Sequence, residues 1–100
     1  MNSFTLTQAA KSDLKAIAKF SEQRWGRLQR TVYIKQFDDS FHMLAKTQLA
    51  GKNCDYIKEG YRKFPQGSHI IFYRENSNQD IKIIRILHKK MDVDSQLGDP

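Results

Sequence analysis

The chain has 100 residues, 39% hydrophobic and 28% charged, with a formal net charge of +6. One hundred residues are enough for one hydrophobic core and too few for two, so we expect a single domain over residues 1–100. The hydrophobic fraction excludes a disordered chain, and the apolar runs are too short to cross a membrane.

Targeting and cysteine usage point to the cytoplasm. The N-terminal residues lack a charged segment followed by an apolar stretch, so nothing indicates secretion. The single cysteine, Cys54, cannot form a disulfide within the chain, and its spacing to His42, His69 and His88 is not that of a metal site. We therefore expect a cytoplasmic protein with no metal and no cofactor.

The predicted elements follow the order β-α-α-β-β-β, which is the α+β class. A strand within residues 1–6 precedes Thr7, whose hydroxyl suits a helix N-cap. The first helix has apolar residues at spacings of three and four and ends at Gly26. The second begins near Leu28 and ends about Lys46. Because so few residues separate them, the two helices form an antiparallel hairpin within residues 7–47. The apolar stripes are Ala10, Leu14, Ile17, Ala18, Ser21 and Trp25, then Ile34, Phe37, Phe41, Leu44 and Ala45.

Residues 60–90 predict a three-stranded antiparallel sheet. The strands are Tyr61–Phe64, closed by Pro65-Gln66-Gly67, then His69–Arg74 and Ile81–His88. The third strand is apolar on both faces, which is typical of a central strand. Its faces are Ile81, Ile83, Arg85 and Leu87 on one side and Lys82, Ile84, Ile86 and His88 on the other. We expect residues 47–58 to form an ordered loop with room for one helical turn, and residues 91–100 to form an exposed tail.

Basic charge is concentrated in two regions. Residues 1–30 carry six Lys and Arg against two acidic residues, and residues 60–90 carry seven against two. The last ten residues carry three Asp and no basic residue. This distribution predicts an acidic partner, either nucleic acid or an acidic protein segment.

Arg62, Arg74, Arg85 and His88 could converge on one face of the sheet, where arginines and a histidine can hold and cleave a phosphodiester. The alternative, which we favour, is that Arg85 pairs with an acidic side chain beneath the helices and His88 ends a strand. Trp25 also has two interpretations. It continues the apolar stripe as a core residue, or it is exposed between Arg24 and Arg27 as a protein-interface contact.

Several motifs together resemble one family. They are YRKFPQGSHIIFYRE (61–75), IRILHKKMD (84–92), the F-x-L-T-x-A-A-K-x-D-L pattern at Phe4–Leu14, and Arg24-Trp25-Gly26. These segments are similar to the ParE toxins of bacterial toxin–antitoxin systems, within the RelE/ParE superfamily. The resemblance implies a non-enzymatic toxin that poisons DNA gyrase and is neutralised by the acidic C-terminal segment of a ParD-type antitoxin.

The resemblance also implies contact residues for each partner, a toxin–antitoxin hetero-oligomer, and no sequence-specific DNA binding by the toxin alone. The expected gyrase contacts are Lys89, Lys90, Met91, Asp92 and Trp25. The expected antitoxin contacts are Tyr33, Phe37, Arg62, Arg74 and Arg85.

Two alternatives stay open. In the RelE branch the same fold is a ribosome-dependent mRNA endonuclease, for which Arg62, Arg85 and His88 are the candidate catalytic residues. The residues after His88 are Lys89-Lys90-Met91-Asp92 and include no tyrosine of the kind that many RelE nucleases use. The other alternative is a relic that binds antitoxin without being toxic.

Removal of residues 89–100 is predicted to abolish toxicity while antitoxin binding largely survives. The reason is that this segment is charged and lacks the apolar pattern of a core element. Growth arrest on expression and antitoxin affinity, measured for the full and shortened chains, test it. Full toxicity of the shortened chain would contradict the prediction.

Overall fold

A computed structural model describes residues 3–76 and 79–91. The chain forms one helical hairpin and one five-stranded sheet, so the predicted α+β class is confirmed. A short 3-10 turn, Gln48–Ala50, follows the hairpin and confirms the predicted single turn. The elements are β1 Phe4–Leu6, α1 Gln8–Trp25, α2 Arg27–Lys46, β2 Lys52–Asn53, β3 Tyr61–Gln66, β4 His69–Glu75 and β5 Ile81–His88.

Thr7 joins the first strand to the first helix and fastens both to β5. Its hydroxyl oxygen accepts a hydrogen bond from the Ala10 N–H at 3.0 Å, which is the predicted N-cap. The same hydroxyl donates to the Ile84 carbonyl at 2.8 Å, and the Thr7 N–H donates to the Ile83 carbonyl at 3.1 Å. One residue therefore fixes where α1 begins and where it lies on the sheet.

Gly26 alone separates the two helices. Its φ of +94° lies in a region that side chains with a Cβ rarely adopt, which explains the glycine. The Gly26 N–H still donates to the Glu22 carbonyl at 2.9 Å and so completes the last turn of α1. The predicted hairpin is confirmed, with a connection of a single residue.

The sheet has the strand order β1-β5-β4-β3-β2. β1 pairs with β5 in parallel, and the other pairs are antiparallel. The predicted central position of β5 is confirmed, because β1 and β4 lie on either side of it. The expectation of a loop over residues 47–58 is wrong for β2, which pairs with Arg62 and Lys63. Two residues are too few to produce an alternating pattern in the sequence.

β3 is longer than predicted. It continues from Phe64 through Pro65 to Gln66 and pairs with β4 along its whole length. Proline lacks an N–H, but β2 pairs only with the first half of β3, so Pro65 lies on an edge, where strand prolines are tolerated. The turn is therefore at Gly67, with a φ of +60°, and not over residues 65–67.

A β-bulge interrupts the pairing of β4 with β5. Phe72 lies opposite Arg85, whereas the next residue, Tyr73, lies opposite Ile83. Ile84 is therefore an extra residue on β5, and a bulge of this kind shifts the alternation of side chains by one position.

This shift makes the predicted faces of β5 wrong beyond Ile84. Ile86 packs with Ile81 and Ile83 in the core beneath the helices. Leu87, which strict alternation assigns to the same face as Ile81, lies in a smaller cluster with Cys54 and Phe72. The core beneath the helices also contains Ala10, Ile17, Phe37, Phe41, Leu44, Ala45, Ile71 and Tyr73.

Asp13 of α1 binds β5 at the bulge. The Arg85 guanidinium donates two hydrogen bonds to its carboxylate, from Nε at 2.7 Å and from Nη2 at 3.0 Å. The Ile86 N–H donates a third, at 2.9 Å. The side chains of Arg85 and Asp13 are only 22% and 14% exposed, and hydrogen bonding to Asp13 raises the pKa of Arg85. The favoured interpretation of Arg85, an ion pair beneath the helices, is confirmed.

No helix within residues 3–76 and 79–91 is long and apolar enough to span a membrane.

We expect Asp13→Ala to lower the free energy of unfolding by about 2 kcal/mol, because it leaves Arg85 and the Ile86 N–H without their acceptor. Urea unfolding measures the change, and Asp13→Ala/Arg85→Met should recover part of the loss. Lys35→Ala is the matched control, since it removes an ion pair with Asp39 on the exposed face of α2 and should leave the midpoint unchanged. An unchanged midpoint in Asp13→Ala would contradict the prediction.

Candidate functional site

Two adjoining depressions, of about 330 and 260 Å³, lie between α1 and the ends of β4 and β5. They share Ile17, Phe20, His69 and His88. We call them together the hairpin groove, and the other residues that line it are Asp13, Ala16, Ser21, Arg24, Trp25, Gln29, Tyr33, Gly67, Ser68, Ile86 and Met91.

Two exposed aromatic side chains form the outer wall of the hairpin groove. Phe20 is 61% exposed and Trp25 is 64% exposed. The interpretation of Trp25 as a core residue is therefore wrong, although it continues the apolar stripe of α1. It is the last residue of the helix and lines the groove, and the Arg24 guanidinium lies 5.3 Å from its ring centre. Exposed large apolar side chains that line one groove are typical of a protein-binding surface.

Tyr33 forms the floor of the groove at its α2 side. Its hydroxyl lies 2.8 Å from Nδ1 of His69 and accepts a hydrogen bond from the Ser68 N–H at 3.2 Å. Burial raises the pKa of Tyr33. A Cβ at Gly67 would overlap the Tyr33 ring, and the positive φ at this position also favours glycine. These contacts tie α2 to the turn between β3 and β4.

His69 and His88 lie directly opposite each other on β4 and β5, with ring centres 5.4 Å apart. Burial lowers the pKa of His69, as does the neighbouring His88, while Asp13 acts in the opposite direction. His69 is therefore neutral at neutral pH. The resulting groove combines apolar and aromatic side chains with polar ones such as Ser21, Arg24 and Gln29, a surface suited to an amphipathic protein segment.

The residues proposed for a nuclease centre do not come together. The Arg62 guanidinium donates to the Gly51 carbonyl at 2.7 Å, and Arg85 is held by Asp13. His88 is exposed at the end of β5 and lines the hairpin groove instead. Within the described residues, these three side chains therefore form no common phosphodiester site.

Only one expected antitoxin contact lines the hairpin groove, and that is Tyr33. Phe37 is 0% exposed and packs edge to face against Tyr33, so it belongs to the core and offers no surface to a partner. Arg62 and Arg74 line a separate depression beside the loop that precedes β3. Arg85 is mostly covered by α1.

Two of the expected gyrase contacts lie in the hairpin groove. Met91 and Trp25 both line the hairpin groove. Lys89 and Lys90 are exposed just beyond the end of β5. Asp92 lies outside the described residues.

No role for Phe20 or His69 was predicted from the sequence. The sequence could have indicated that Phe20 lies on a binding surface, because an aromatic residue near Lys19 and Glu22 is unusual on a solvated helix face. Nothing in the sequence indicated a role for His69. Its position opposite His88 depends on the bulge, since the register at the start of β5 would place Leu87 there.

Neither cysteine nor metal chemistry is favoured. Cys54 is fully buried, and burial raises the pKa of its thiol, which makes it a poor nucleophile. Among the residues that the structure describes, no three His, Cys, Asp or Glu side chains are grouped closely enough to hold a metal ion.

Comparisons with known proteins agree with one another. The family described as "ParE toxin of type II toxin-antitoxin system, parDE" matches residues 4–93. Toxin ParE1 of Mycobacterium tuberculosis (strain CDC 1551 / Oshkosh) is 36% identical over 94 residues, covering 94% of this chain and 96% of the relative. Toxin ParE1 of Caulobacter vibrioides is 36% identical over 98 residues, covering 98% of this chain and all of the relative.

A solved structure gives the same fold. A chain of the chromosomal ParDE toxin–antitoxin system from P. aeruginosa is similar, with a TM-score of 0.73 at 20% identity. The likeness covers 88% of this chain and 96% of that one. The expected RelE/ParE-like fold is therefore confirmed.

We expect stability to fall as the pH drops below about 6.5, because the unfolded chain then takes up a proton at His69 that the folded chain resists. As the pH falls from the pKa of His69 in the unfolded chain to its lower pKa in the folded chain, the free energy of unfolding decreases progressively. Urea unfolding between pH 8 and pH 5 tests this, and His69→Phe should flatten the dependence. His42→Phe, at an exposed histidine of α2, is the control. Equal pH dependence in wild type and His69→Phe would contradict the prediction.

Proposed function

The chain belongs to the ParE toxin family of type II toxin–antitoxin systems, and on that premise we propose that it poisons DNA gyrase and is neutralised by a ParD-type antitoxin. In this proposal the toxin binds gyrase while the DNA is cleaved and blocks its religation. It carries out no covalent chemistry of its own, and it acts in the bacterial cytoplasm, where gyrase works.

The main support for this proposal is that Arg85 and Arg62 already make hydrogen bonds within the fold. Arg85 donates two hydrogen bonds to Asp13, and Arg62 donates one to the Gly51 carbonyl. A nuclease needs cations that are free to hold the scissile phosphate. The hydrogen bonds of Arg85 and Arg62 therefore support binding as the mode of action and give no support to the alternative of an mRNA endonuclease.

The hairpin groove supports an antitoxin as partner. Phe20 and Trp25 offer apolar contact area, and Arg24 adds a positive charge at the rim. An acidic, amphipathic segment that folds on binding would bury its apolar face between these aromatic side chains and meet Arg24 with its carboxylates. The similar solved chain is part of a ParDE toxin–antitoxin system, which is consistent with a hetero-oligomer here.

The end of β5 supports a mechanism of neutralisation. The proposed gyrase contacts Lys89, Lys90 and Met91 follow His88, and Met91 itself lines the hairpin groove. An antitoxin segment in the groove would therefore cover Met91 and Trp25, two of the residues proposed to touch gyrase. Toxin action and neutralisation would compete for the same surface.

The test combines the purified toxin with gyrase, ATP and supercoiled plasmid. Linear, protein-bound DNA should accumulate, and an acidic C-terminal antitoxin segment should prevent this. Phe20→Glu should bind the antitoxin segment more weakly than the unaltered chain, because the new carboxylate lies in the groove and repels an acidic segment. Leu49→Glu is the matched control, since Leu49 is 76% exposed and lies away from the groove.

Three results would overturn parts of the proposal. Absence of linear DNA would exclude gyrase poisoning. Site-specific cuts in ribosome-bound messages that vanish in His88→Ala would establish the endonuclease instead. Antitoxin binding without growth arrest would identify a non-toxic relic.

A further inference from the structure

A positively charged surface lies on α1, on a different side from the hairpin groove. Lys11, Lys15 and Lys19 are all exposed, and none of them lines the groove. They recur every four residues, so the 1.5 Å rise per residue places them about 6 Å apart along the helix axis.

The second helix extends this row of cations. Arg27 and Arg30, in the first turn of α2, line one shallow depression together with Lys15 and Lys19. Glu22 is the one acidic side chain among the described residues of that depression, and it lies 3.7 Å from Arg30. The four cations of this depression therefore outweigh its one described carboxylate, and Lys11 extends the row along α1. We call Lys11, Lys15, Lys19, Arg27 and Arg30 the cationic face.

From this arrangement we propose that the cationic face binds the phosphate backbone of double-stranded DNA, independently of base sequence. The ligand is a linear polyanion, recognised by charge, and the contact needs neither gyrase nor antitoxin.

The chemistry of the cationic face favours duplex DNA over an acidic protein segment as its ligand. Segments that fold on binding need apolar anchors, and the depression that Lys15 and Lys19 share with α2 has Ala18 as its one apolar lining residue among those described. Apolar anchors are instead found in the hairpin groove, at Phe20 and Trp25. A partner of the cationic face must therefore bind through charge alone.

The lining and shape of the cationic face favour duplex DNA over single-stranded nucleic acid as its ligand. Proteins that bind single strands stack bases on aromatic side chains, and the lining of this depression contains none among the described residues. A straight row of lysines on a rigid helix, spaced about 6 Å apart, instead suits the dense and regular phosphates of a duplex.

The proposal predicts steeply salt-dependent binding to a fluorescent 20-base-pair duplex of mixed sequence, measured by anisotropy without gyrase. Five phosphate contacts give a slope of about −4.5 for log K against log salt concentration. Lys15→Gln/Lys19→Gln should make the slope shallower by about 2, because each lost phosphate contact removes about one unit. Lys52→Gln/Lys58→Gln is the control, since it removes the same charge from exposed positions outside the cationic face.

Several outcomes would overturn the proposal. They are binding that does not depend on salt, an equal loss of slope in the control variant, or binding of duplex RNA or poly-glutamate as tight as that of the DNA. Retention of the wild-type slope in Lys15→Gln/Lys19→Gln would do the same. Because gyrase is absent, a negative result leaves gyrase poisoning untouched, and failure of the gyrase assay leaves DNA binding to be judged by anisotropy.

Discussion

The contact between Asp13 and the bulged part of β5 is the constraint on which the rest of the structure depends. The Asp13 carboxylate accepts two hydrogen bonds from Arg85 and one from the Ile86 N–H, and so joins the middle of α1 to the central strand. Together with the two hydrogen bonds from Thr7 to β5, it holds the helix in one place on the sheet. A partly buried carboxylate is tolerated here because its charge is paired and its oxygens are hydrogen-bonded.

This attachment gives α1 three sides with different roles. Ile17 and Ala10 face the core, Phe20 and Trp25 border the hairpin groove, and the lysines point elsewhere into solvent. Apolar contact and cationic contact are thereby kept on separate surfaces of one helix. Such a separation would let one short chain bind an amphipathic protein segment and a polyanion without the two competing for the same side chains.

Much of the architecture could be predicted because it depends on neighbours in the chain. The Thr7 cap, the stop at Gly26 and the span of β5 follow from local hydrogen bonding, glycine conformation and apolar pattern. Trp25 shows the limit of that reasoning. Periodicity identifies the side of a helix, but it does not tell whether any core remains beneath the last turn.

The sequence by itself determined the hairpin, the central strand, the family and the order of elements apart from β2. Only the tertiary structure decided which side chains line the hairpin groove, and the bulge at Ile84 gives the physical reason. One extra residue on β5 changes which side chains share a face and brings His88 opposite His69 at the groove floor. The bulge is held by Asp13 of α1, which lies 72 residues before Arg85 in the chain, so no local pattern in β5 predicts it.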